Sequence, residues 1–232
     1  MDDLQSEKEQ LEEMRAWWSE YGLYVIAGVV IAIAGLIGFN QYTSHKLAAQ
    51  VAASQLFETL GEHVIDGKLD EAVLIADELS VDYANTTYAA QSKLSMARLY
   101  MDKNRDQDAA DQLSELLAMR GSEELKKVGR LRLAHVLLYQ DKPQEVVDLL
   151  EGVEVAAFAA LYDELLGDAY FAQGRLEEAS DAYRRALADP APNPTIDRAF
   201  VQMKLVDIPE VVVADAAEAE LIESAEQSGE SE

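Results

Sequence analysis

Apolar residues follow two different patterns along this chain. From Gly22 to Phe39 there is no charged or strongly polar side chain, while further on apolar and polar positions alternate at helical spacing. Eighteen helical residues rise about 27 Å, close to the thickness of a bilayer core. Trp17, Trp18, Tyr21 and Tyr24 stand at one border of the run, Phe39 and Tyr42 at the other, as interfacial aromatic belts do. The pattern predicts one transmembrane helix over 21–42. The twenty residues in front carry seven acids and only Lys8 and Arg15, unlike the short basic leader of a cleaved signal peptide. Those two bases against Lys46 behind the span lean towards a cytoplasmic N-terminus, residues 1–20. Gly28, Ala32 and Gly35 fall on one face of the predicted helix, with Gly38 a turn later, so a neighbouring helix can approach closely there.

Beyond the span the polar positions repeat. Gly67-Lys68-Leu69-Asp70-Glu71-Ala72 returns as Asn104–Ala109, Asp141–Val146 and Gly174–Ala179, at intervals of 37, 37 and 33 residues. Each copy opens on Gly, Asn or Asp, the residues that best tolerate a left-handed backbone, and continues with a base. Acids then occupy the opening turn of the next helix, where the macrodipole favours them. These are turns of helical hairpins, and repeated hairpins mean a solenoid. In the last copy Leu166-Gly167, Tyr170, Ala179, Tyr183 and Ala186 resemble the tetratricopeptide pattern. Thr195 is expected to cap a closing helix over residues 196–206. The fold predicted is all-α: a single N-terminal membrane helix, then a tetratricopeptide-like α-solenoid of about four hairpins over 43–206.

Composition narrows the function. Lys and Arg total 19 against 44 Asp and Glu, a net charge of −25, which disfavours the phosphate backbone of nucleic acids. Without cysteine there is no disulfide, thiolate nucleophile or Cys-ligated zinc. None of the three histidines lies in a metal or catalytic motif, and no phosphate loop or nucleophile elbow occurs, so neither enzyme activity nor a cofactor is expected. Residues 207–232 carry nine acids, no base and no aromatic, a composition expected to remain disordered. Binding is the remaining class. Counted back from the turns, the inward positions of the first helices are Leu94, Arg98, Met101, Leu131, His135, Leu138, Tyr139, Leu161 and Phe171. Such a largely apolar groove suits extended or unfolded chain segments. The alternative is that several of these residues form the core between repeats.

The order and spacing of several phrases resemble the ancillary SecYEG translocon subunit family (YfgM-like) of Gram-negative bacteria. They are Ala34-Gly35-Leu36-Ile37-Gly38 with Ser44-His45, Asp102-Lys103-Asn104, Arg132-Leu133-Ala134 and Gln202-Met203-Lys204. The resemblance covers residues 5–207 and excludes the acidic tail. It implies a single-pass inner-membrane protein with a periplasmic domain beside the SecYEG translocon. It also implies a membrane-anchored PpiD-like chaperone partner, nascent or unfolded exported chains as clients, and contact of the N-terminus with a stress response regulator. A scaffold that joins folded cell-envelope proteins is the competing expectation, as is a regulatory adaptor acting through the N-terminus.

Overall fold

The computed structural model describes residues 2–153, 158–188 and 195–209, with side chains from Leu11 onward. The acidic stretch after Pro209 and the run Pro190–Pro194 lie outside the described residues, as do the side chains of residues 2–10. Nine helices and no strand occur among the described residues. They are α1 (Asp2–Ile65), α2 (Leu69–Asp82), α3 (Thr87–Asp102), α4 (Asp106–Ala118), α5 (Glu123–Tyr139), α6 (Pro143–Leu150), α7 (Ala159–Ala172), α8 (Leu176–Leu187) and α9 (Arg198–Val206). The chain divides into two compact units, residues 1–54 and 55–232.

The first unit is the N-terminal part of α1. Its apolar window has a mean hydropathy of 2.4 and is almost wholly exposed, so it is a candidate membrane helix by length and composition. Trp17 lies against Trp18 and Tyr21 at the leading border. A Cβ placed on Gly28, Gly35 or Gly38 meets no other atom within 4 Å. This face is therefore open to a neighbour.

In the second unit each helix from α2 to α9 packs on the next, and the alternate helices α3, α5 and α7 also touch in succession. Every hairpin turn closes in one way. Gly67, Asn104, Asp141 and Gly174 take positive φ, at 67°, 57°, 58° and 74°. The amide of the following residue then reaches back to a carbonyl at 2.9 Å: Lys68 to His63, Arg105 to Tyr100, Lys142 to Leu137 and Arg175 to Tyr170. The base in the turn has a structural use. Arg105 lies over the Tyr100 ring and donates to Asp108 at 2.7 Å, and Arg175 repeats this with Tyr170 and Glu178. Each clamps the end of one helix to the start of the next.

Small residues sit where the hairpin helices cross. A Cβ on Gly167 would stand 2.4 Å from the Tyr183 ring, which is fully buried between α7 and α8. The closing helix α9 is held by Lys204, whose Nζ donates to Glu164 at 2.9 Å and to both Asp168 oxygens at 2.8 Å. Its start departs from the expectation. Asp197, not Thr195, is the cap, accepting from the amides of Ala199 and Phe200, because the helix begins two residues later than the Pro-rich run suggests.

Candidate peptide-binding groove

The alternate helices α3 and α5 differ in charge from the helices behind them. The charged residues of α2, α4 and α6 are all acidic, whereas α3 and α5 together carry six basic side chains against three acidic ones. The chain is acidic as a whole, yet α3 and α5 each carry a net positive charge.

A pocket of about 430 Å³ opens on that surface between α3 and α5. Ala97, Met101, Leu113, Val136 and Tyr139 form its apolar walls, with Leu113 reaching in from α4. Arg98, Asp102, Arg132 and His135 form the rim. Arg98 approaches Asp102 at 4.0 Å, one helical turn away. Arg132 Nη1 donates to the Leu94 carbonyl at 3.2 Å and so ties α5 to α3. His135 Nδ1 lies 2.9 Å from the Leu131 carbonyl, and the histidine is exposed. Tyr139 is 69% exposed, so its ring is open to a ligand.

Four of the predicted inward residues therefore meet at one place: Arg98, Met101, His135 and Tyr139. Leu94 and Leu131, each ten residues before a turn, are only 8% exposed and belong to the core between hairpins. Leu138 and Leu161 are half-buried, and Phe171 is exposed on α7; none of the three lines this pocket. The sequence reasoning missed Asp102 and Arg132. Asp102 carried a readable signal, four residues after Arg98, while the reach of Arg132 across to α3 is visible only in three dimensions.

Chemically the pocket offers apolar contact inside and hydrogen-bond donors at its edge. That arrangement suits an extended segment, whose side chains seek the walls and whose carbonyl oxygens seek the guanidiniums. No group of three His, Asp or Glu side chains positioned for a metal occurs among the described residues.

Comparison with known proteins agrees with the architecture. The profile of the tetratricopeptide repeat-like domain family matches residues 15–210. An ancillary SecYEG translocon subunit of Escherichia coli K12 is 28% identical over 205 residues, covering 88% of this chain and 98% of its own length. The protein of the same name from Neisseria gonorrhoeae is 27% identical, covering 86% and 95%. These relatives bear out the resemblance read from the sequence. Among solved structures, MamA from Desulfovibrio magneticus RS-1 superposes with a TM-score of 0.51 at 20% identity, covering 74% of this chain and 96% of its own. A putative kinesin light chain with TPR-like repeats gives 0.51 at 19%, covering 75% and 92%. Both show the fold alone. The hairpin register, the left-handed turns and the family match over residues 15–210 lead to one conclusion: this chain belongs to the tetratricopeptide repeat-like domain family.

Proposed function

We propose that this protein is a non-enzymatic accessory subunit of the SecYEG translocon, anchored in a bacterial inner membrane by α1. The observation that carries the reading is the match to ancillary SecYEG translocon subunits across 95–98% of the length of the Escherichia coli and Neisseria gonorrhoeae proteins. In this reading residues 1–20 are cytoplasmic, 21–42 span the bilayer and 43–206 stand in the periplasm. The open face of Gly28, Ala32, Gly35 and Gly38 receives a helix of a membrane partner, because close backbone approach is what favours association in lipid. The pocket between α3 and α5 holds apolar segments of exported or unfolded chains, and a PpiD-like chaperone acts on the same clients. Leu94 and Leu131 support the pocket from the core, while Arg98, Met101, His135 and Tyr139 touch the client.

Photoreactive residues at positions 32, 35, 101 and 139, in native membranes, test this. Translocon products are expected from 32 and 35, and exported chains from 101 and 139. Products confined to one folded envelope protein would replace the reading with a scaffold. Reaction of 101 and 139 with cytosolic proteins only would reverse the topology. The paired substitution Met101→Glu and Tyr139→Glu is expected to abolish client products while leaving those from position 35.

A further inference from the structure

Equivalent positions of successive hairpins carry different charges. Arg98, His135 and Asp168 each stand six residues before a turn start, at Asn104, Asp141 and Gly174, on α3, α5 and α7. The acid in this series is matched by the fold. Lys204, reaching from α9, donates to both Asp168 oxygens at 2.8 Å and to Glu164 at 2.9 Å. The lysine side chain is only 19% exposed, so the pairing is short and sheltered from water.

The base in the series is matched poorly. Arg98 meets Asp102 on its own helix at 4.0 Å, and the two side chains are 76% and 61% exposed. An ion pair so long and so open gains little over hydration. The Arg98 guanidinium can therefore exchange this partner for a better one, and its planar fork of donors is shaped for a carboxylate.

Arg98 also shares its pocket with apolar walls. Met101, Val136 and Tyr139 line the same space of about 430 Å³, with Arg132 as a second guanidinium at the rim. Arg132 is steadied there by its hydrogen bond to the Leu94 carbonyl. A side-chain carboxylate brought to this rim accepts two parallel hydrogen bonds from Arg98, a stronger and more directional contact than one. The apolar neighbour of that acid then falls on the walls. An extended chain advances about 3.3 Å per residue, so acid and apolar anchor lie within about two residues of each other.

We infer that the groove selects, among exposed apolar segments, those with an aspartate or glutamate one or two residues from a large apolar side chain. This rests on the pocket being the client site. A net charge of −25 repels acidic ligands from the molecule as a whole. Charges more than about 8 Å apart are largely screened at physiological ionic strength, so the contact at the rim decides. Met101 and Tyr139 supply affinity and Arg98 supplies discrimination. A base in place of the acid meets Arg98 and Arg132 as like charges.

Fluorescence anisotropy of labelled peptides, with the full chain in phosphatidylcholine nanodiscs, tests this. That lipid has no net charge and favours neither peptide. Each peptide carries one leucine anchor, an aspartate, serine or lysine next to it, and an amidated C-terminus. The aspartate peptide is expected to bind at least about fivefold tighter than the lysine peptide, a difference that shrinks in about 0.5 M salt. Moving the aspartate six residues from the anchor should abolish its advantage. Arg98→Glu should reverse the order of the two peptides, and Arg98→Lys should keep the order with a smaller difference, both in chains whose thermal unfolding is unaltered. Equal binding of the three peptides would overturn the selection and leave an apolar groove. An aspartate advantage that survives Arg98→Glu would overturn it too, as would a preference seen only with a free C-terminal carboxylate. Binding of no peptide at all would remove the client reading itself.

Discussion

Gly167 has no room for a methyl group. The nearest Tyr183 ring atom would be 2.4 Å away, and the ring cannot swing aside, since it is fully buried and its hydroxyl donates to Asp168 at 2.8 Å. Gly167→Ala is expected to lower stability by about 1–3 kcal/mol, read as a lower urea midpoint of the full chain in micelles. Adding Tyr183→Leu should recover part of the loss, because it recreates the pairing of Ala97 with Leu113. Burial and the neighbouring Asp168 carboxylate push the Tyr183 hydroxyl above its ordinary value of 10.0. The folded state then holds a proton that the unfolded chain releases, so stability is complete below about pH 10 and falls as pH rises beyond it. Tyr183→Phe should give a shallower fall in urea midpoint between pH 9 and pH 11 than the unaltered chain.

At the scale of elements, the turn phrase explains itself once the dihedrals are known. Its first residue must accept positive φ, in the second and fourth turns its base and acid bridge the two helix ends, and its small residue is buried where the helices cross. Asn104→Gly should raise stability by up to about 1 kcal/mol, since glycine enters the left-handed region without a Cβ penalty. Asn104→Val should lower it by about 1–2 kcal/mol. Thermal unfolding of the two variants side by side checks the sign of each. The turns, the four hairpins and the Leu-Gly crossing of the last repeat were all legible in the residues. The cap of α9 was not, because Thr195 and Asp197 are both good caps and only the path of the chain after the Pro-rich run chooses between them.

For the whole molecule, the division of labour lies between an apolar helix and a folded stack. An arginine in the centre of the span costs about 2.5–3.5 kcal/mol on insertion scales. Ala32→Arg is therefore expected to shift a substantial share of the chain from the membrane to the soluble fraction on alkaline extraction, with the domain still folded. The segregation of charge onto separate helices of the solenoid also belongs to this scale. It leaves a basic rim around an apolar pocket in a protein of net charge −25. Nothing in the overall composition announces that rim.

Periodicity determined the class of this protein by itself. A run without charge can be satisfied only in lipid or in a core, and a turn phrase returned four times can fold only as stacked hairpins. Groove membership needed the tertiary structure. Leu94 and Arg98 are one turn apart on the same helix, yet the first is closed over by the neighbouring hairpin and the second stands in solvent. Helical spacing states which residues share a face. How far that face is covered depends on where the next hairpin comes to rest, and this is set by the volumes of the residues at each helix crossing, as Gly167 and Tyr183 show for α7 and α8.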